Sequence, residues 1–148
     1  VAIAIILTTY WPEKKAKLDQ AFYSDDDGKT WFEESAFLVP PFPHDGKTAV
    51  VAQIYSYANG SKKFCAYLTQ FTPDAKQKLE AALADAKKNG QPSGSVALYR
   101  DRLFMQKGML VKKPGANNVG VPYDDPKALE VMSIQVPDGS PVDQVFGY

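Results

Sequence analysis

The chain is poor in the residues on which most catalytic and scaffold chemistry is built. Its 148 residues include one cysteine (Cys65), one histidine (His44) and two arginines (Arg100 and Arg102). A single cysteine excludes an internal disulfide framework and leaves Cys65 to read as a small apolar core residue. One histidine cannot share a metal ion with a second, and a catalytic thiol at Cys65 has no other base to activate it. Seventeen basic residues balance seventeen acidic ones, with no dense basic run beyond Lys-Lys pairs, so binding to nucleic acid through phosphate neutralisation is not expected. No apolar run reaches the roughly 20 residues that a membrane-spanning helix requires. These absences point to a non-enzymatic protein without a cofactor or metal. A domain of this length buries roughly two-thirds of its unfolded surface and needs no staple.

What is present begins with the N-terminal segment. Val1, Ile3, Ile5, Ile6 and Leu7 form an apolar stretch, followed by Tyr10, Trp11 and then Glu13-Lys14-Lys15. The order suits the last turns of a longer transmembrane helix, with the aromatic pair at the interface and the lysines among headgroups. The same residues also read as a β-branched core strand, or as the stalk of a pilin-like subunit, although position 5 lacks the glutamate that mature pilins carry. We expect residues 1–20 to be an anchor or stalk helix with a juxtamembrane linker, and 21–148 to form one extracytoplasmic domain.

Within that domain, Ala21–Ser24 and Thr30–Glu33 read as a hairpin. Val39-Pro40-Pro41-Phe42-Pro43 reads as an extended crossing loop, because proline donates no amide. Ala49–Ala58 and Ser61–Phe71 flank Asn59-Gly60, the preferred type I′ turn pair. That register opposes Tyr55 to Phe64, Ile54 to Cys65 and Val51 to Leu68. Thr72-Pro73-Asp74 starts a helix by capping, N1 proline and charge at the dipole. Ala75, Leu79, Ala82, Leu83 and Ala86 give that helix an apolar face expected to lie across the sheet. Val96–Arg100, Arg102–Val111 and Met132–Val136 read as further strands, with a helical turn at Pro126–Val131. The expected class is α+β: a mostly antiparallel sheet, one amphipathic helix packed on it, and an apolar N-terminal helix ahead of both.

Residues Ser24-Asp25-Asp26-Asp27-Gly28-Lys29-Thr30-Trp31 match the pattern Ser-x-Asp-x-Gly-x-Thr-Trp. They resemble the Asp-box, a β-hairpin motif found on the rims of sialidase propellers and in unrelated secreted proteins. The resemblance implies that Ser24, Asp26, Gly28 and Thr30 stiffen a turn and that Trp31 anchors it in the core. One copy makes no propeller, and two arginines make no sialidase site. The acidic triplet is no EF-hand either, since placing Gly28 at loop position 6 puts Tyr23 where a carboxylate is required; a calcium site of another kind stays open. Gly28-Lys29-Thr30 and Gly46-Lys47-Thr48 lack the first glycine of a P-loop.

A wider pattern comprises Phe22-Tyr23, Asp27-Gly28-Lys29-Thr30-Trp31-Phe32, Val39-Pro40-Pro41-Phe42, Phe71-Thr72-Pro73-Asp74-Ala75-Lys76 and Val136-Pro137-Asp138-Gly139-Ser140. Behind an apolar N-terminus, it resembles a group of small, single-pass bacterial envelope proteins with no established activity. The resemblance implies a membrane-anchored, extracytoplasmic location at the cell envelope or cell surface. The expected role is a non-catalytic accessory or assembly subunit with protein partners, contacting the membrane or other subunits through Val1, Ile3, Ile5, Ile6, Leu7, Tyr10 and Trp11. A pilin-like filament subunit is the alternative in that class. A carbohydrate- or peptide-binding module, using the Asp-box rim and exposed tyrosines such as Tyr55, Tyr57 and Tyr67, is the alternative outside it.

Overall fold

A long hairpin organises the molecule. In the computed structural model, which describes residues 19–117, 120–134, 136 and 141–146, strand β4 (Lys47–Tyr57) pairs with β5 (Lys62–Phe71). The strands turn at Asn59-Gly60, where both residues have positive φ and Ser61 N–H bonds back to the Ala58 carbonyl. This is the geometry of a type I′ turn. Six further strands complete an antiparallel sheet: β1 (Gln20–Ser24), β2 (Phe32–Ser35), β3 (Phe42–His44), β6 (Met109–Lys112), β7 (Val121–Pro122) and β8 (Asp143–Gln144). The main order is β2-β1-β4-β5-β6-β7, with β3 and β8 also paired to β4. Three helices accompany them among the described residues: α1 (Pro73–Lys88), α2 (Arg102–Gly108) and α3 (Lys127–Met132).

The β4–β5 register holds as expected for Tyr55↔Phe64 and Ile54↔Cys65, then slips by one. Gln53 opposes Tyr67 and Val51 opposes Thr69, so Ala66 is an extra residue on β5. The expected pairing of Val51 with Leu68 is therefore corrected by a β-bulge, which sets two residues against one and re-aims the rest of the strand. Because side chains alternate, an unbulged β5 would turn Tyr67 to the face that carries Cys65. The bulge moves Tyr67 and Thr69 to the opposite face, with Gln53 and Tyr55.

The sheet is consequently packed on both sides. One face gathers Ala52, Ile54 and Leu68 under Phe22, Trp31, Val50, Cys65 and Val145. A second cluster joins Val39, Phe71 and Val96 to the apolar stripe of α1 (Ala75, Leu79, Ala82, Leu83 and Ala86) and to Phe104, Met105 and Met109. Helix α1 begins as its sequence dictates: Thr72 Oγ1 accepts from Ala75 N–H at 3.3 Å and Pro73 takes the first turn. Asp74–Lys78 and Lys76–Glu80 pairs line its outer surface.

Three expectations are corrected. Val96–Arg100 and Arg102–Gly108 are not strands: a 3-10 turn at Ala97–Arg100 leads into helix α2, and only Met109–Lys112 is extended. The Asp101 carboxylate accepts from Phe104 N–H at 3.1 Å, an N-cap that favours helix over the β-propensity of its neighbours. The last strand is Asp143–Gln144 rather than Met132–Val136, because α3 runs through Met132. Phe42–His44, expected as loop, pairs with Thr48 and its neighbours across an Asp45-Gly46 turn whose residues both have positive φ. The N-terminal helix expected over residues 1–20, with its contact residues Val1, Ile3, Ile5, Ile6, Leu7, Tyr10 and Trp11, lies outside the described residues up to Leu18; Gln20 opens β1. No helix among the described residues is long and apolar enough to cross a membrane.

Candidate ligand-binding cleft

Two features carry polar chemistry, and they stand on opposite faces of the sheet. The first is the acidic loop between β1 and β2. Ser24 Oγ donates to Asp26 Oδ1 at 2.8 Å and accepts from Gly28 N–H at 2.8 Å. Asp26 in turn accepts from Thr30 N–H at 2.9 Å and from Thr30 Oγ1. Gly28 has φ +84°, and a Cβ there would meet Cys65 Sγ at 3.0 Å, so the loop rests directly on β5 and only glycine suits the position. Trp31 packs beside Ile54 and Leu68.

Every carboxylate of the triplet is committed to a protein donor. Asp25 holds His44 Nδ1 at 3.0 Å, and the imidazole stacks on Phe32 at 3.9 Å between centroids. Asp27 receives Lys112 Nζ from β6 and the Gly115 N–H. Among the described residues no group of three or more His, Cys, Asp or Glu is arranged to hold a metal ion. The loop is a strut tying β1, β3 and β6 together.

The loop's electrostatics set two pH windows. Hydrogen bonds from the Thr30 hydroxyl and amide hold the Asp26 carboxyl at about 2, below its ordinary 3.8. A depressed folded value contributes stability above pH 3.8 that is lost as pH falls toward 2. His44 is shifted the other way by its bond to Asp25, so its contribution is complete below 6.5 and is lost as pH rises through the higher folded value. Asp26→Asn should therefore flatten the dependence of urea-unfolding stability on pH between about 4 and 2. An unchanged slope would show that Asp26 titrates normally in the fold.

The second feature is a cleft of about 570 Å3 on the face to which the bulge turns Tyr67. Its floor is Gln53 of β4, Tyr67 and Thr69 of β5 and Met109 of β6. One wall is Tyr99 and Arg100 of the 3-10 turn with Arg102, Met105 and Gln106 of α2, and Tyr123 closes the other side. Helix α2 is set in place by the Asp101 cap and by Thr72 N–H bonding the Gly108 carbonyl at 2.8 Å. Gln53 is oriented by Gln144 of β8 at 2.8 Å. Both arginines are exposed, and neither has a carboxylate partner among the described residues.

An aromatic row leads to this cleft. Tyr57 meets Phe64 edge-on at 5.8 Å, and Tyr55 meets Tyr67 at 6.4 Å. Tyr55, Tyr57 and Tyr67, the tyrosines singled out from the sequence, thus share one face and are half-buried. Burial and the neighbouring Tyr55 push the Tyr67 phenol above its ordinary pKa, and burial does the same to Tyr99, so both stay neutral hydrogen-bonding groups. Sequence reasoning missed Arg100, Arg102, Tyr99, Gln106 and Tyr123 as cleft residues. Reading 96–111 as strands hid the first four, and Tyr123 fell in a stretch read as loop; the helix signal was Asp101 ahead of Arg-Leu-Phe-Met-Gln-Lys. Comparison of the chain with protein-family models, with curated proteins and with solved structures finds no match.

Proposed function

We propose that the chain is a non-catalytic recognition module that binds a carbohydrate or peptide ligand in the tyrosine–arginine cleft. The observation that carries this reading is the convergence of both arginines of the chain with Tyr67, Tyr99 and Tyr123 around one concavity. Its volume falls in the range of small-ligand sites, and its lining sets three tyrosines and two methionines beside two glutamines, a threonine and the two arginines. Among the described residues the lining offers no histidine, carboxylate or thiol to serve as general base or nucleophile. Cys65 lies on the other face, with its thiol pushed by burial up to about 11, and His44 is engaged with Asp25 and Phe32.

The test is amide chemical-shift mapping against a panel of soluble oligosaccharides and short peptides. Shifts should concentrate on Tyr67, Tyr99, Arg100, Gln106 and Tyr123. A panel that leaves these amides unmoved rejects the reading.

The apolar segment Val1–Leu7 followed by Tyr10, Trp11 and two lysines favours a second, compatible reading. In it the module is presented at a bacterial envelope as an accessory or assembly subunit held through its N-terminus, or as a pilin-like subunit packed through that same segment. Liposome flotation of the full chain against residues 19–148 tests the membrane arm. Equal behaviour of the two would remove it.

A further inference from the structure

We infer that the cleft recognises an anionic carbohydrate, a sugar carrying a carboxylate, with the carboxylate on Arg100 and Arg102 and the ring against the tyrosines. The inference rests on the reading of this cleft as a binding site and adds the chemistry of its ligand. Charge is the first argument. The chain has seventeen basic residues but only two guanidinium groups, and both line this cleft, whose lining among the described residues includes no acidic side chain. Guanidinium presents a planar fork of donors that matches a carboxylate two bonds at a time, and it is less strongly hydrated than lysine's ammonium. Two such groups left without an acidic partner at the mouth of a concavity are set to receive an anion.

The rest of the lining selects a sugar over other anions. Gln53, Gln106, Thr69 and the tyrosine hydroxyls are neutral groups that donate and accept. Such groups complement ring hydroxyls, which also do both. Tyr67, Tyr99 and Tyr123 add flat, amphipathic ring surfaces that cover a ligand ring at low entropy cost. A peptide that binds by strand addition needs a free sheet edge for its main-chain hydrogen bonds. The floor strand offers none: Thr69 of β5 is paired to Val51 on one side and to Val111 on the other. A peptide here cannot add a strand to the floor and must rely on side-chain contacts alone for its backbone groups, whereas a pyranose presents hydroxyls and no peptide backbone.

Isothermal titration with three probes decides the matter: an oligogalacturonate, the same oligomer with its carboxylates methyl-esterified, and an aspartate-rich peptide of equal charge. We expect the oligogalacturonate to bind, and esterification to weaken binding at least about tenfold, the loss of one good charge-assisted contact. Arg100→Gln/Arg102→Gln should lose the same factor while retaining the wild-type unfolding midpoint, since both side chains are exposed. Tyr123→Ala should weaken the free and esterified oligomers alike. Equal affinity for the two oligomers, or an unchanged affinity in the double variant, would overturn the anionic assignment while leaving the cleft as a carbohydrate site. Preferential binding of the peptide, with shifts on the cleft amides, would overturn the sugar and keep the recognition module. No shift on the cleft amides with any probe would bring down both.

Discussion

Tyr23→Ala should destabilise the protein by about 3–5 kcal/mol, the range for truncating a large buried aromatic. Tyr23 is wholly inaccessible to solvent and sits where its own strand, β1, meets three others. It opposes Phe32 on β2 and Val51 on β4, and its ring meets Phe42 of β3 edge-on at 5.0 Å. Its hydroxyl donates to the Ser35 carbonyl at 2.7 Å and lies 3.4 Å from that of Leu38. Tyr23→Phe isolates the polar part: it keeps the ring and removes the hydroxyl's bonds to the Ser35 and Leu38 carbonyls, of which Ser35 still accepts from Leu38 N–H, at a cost of about 1 kcal/mol. Urea denaturation of the pair should therefore show a large and a small loss at the same position. Equal losses would place the weight on the hydroxyl rather than on packing.

The same residue gives an alkaline signature. Burial raises the Tyr23 phenol above its ordinary 10.0, so the folded state holds the proton more tightly than the unfolded chain. Its contribution is complete below pH 10 and is lost as pH rises beyond it.

How much of this was legible from residues alone depended on whether the signal was local. Asn59-Gly60 dictates its turn, and Thr72-Pro73-Asp74 dictates where α1 starts, because each acts through neighbouring backbone. The mostly antiparallel α+β class follows from those elements. The bulge at Ala66 is different, since nothing in Phe64-Cys65-Ala66-Tyr67 marks an extra residue. It is a property of the assembled sheet, where Cys65 lies under Gly28 while Tyr67 faces the cleft. The ligand-facing residues were hidden for a related reason. Arg100, Gln106 and Tyr123 lie far from Gln53 and Tyr67 in sequence, and the short helix that carries Arg102 and Gln106 competes with a β-compatible composition. The acidic loop was conspicuous because its bonds are local; the cleft was not, because its floor and walls meet only through long-range contacts.

Gly108→Ala tests the joint that positions the cleft wall. Gly108 is buried at the end of α2, and a Cβ there would stand 2.6 Å from the Cβ of Ala75 on α1. Real carbon atoms do not approach so closely, and Ala75 has no rotamer through which to retreat, so one helix must move. Alanine gains up to about 1 kcal/mol in helix propensity over glycine, but overpacking a tight contact typically costs about 1–3 kcal/mol, and this contact is tighter than most. We expect a net loss of about 2 kcal/mol. Because α2 carries Arg102, Met105 and Gln106, its displacement should also weaken ligand binding severalfold without touching a lining residue. Ala75→Gly in the same chain should restore part of both losses, since it removes the opposing methyl. A double-mutant cycle on stability should then show coupling of at least about 1 kcal/mol. Strict additivity would mean that the helices separate freely, and the wall of the cleft would then owe its place to the Asp101 cap and the Thr72–Gly108 bond rather than to this close approach.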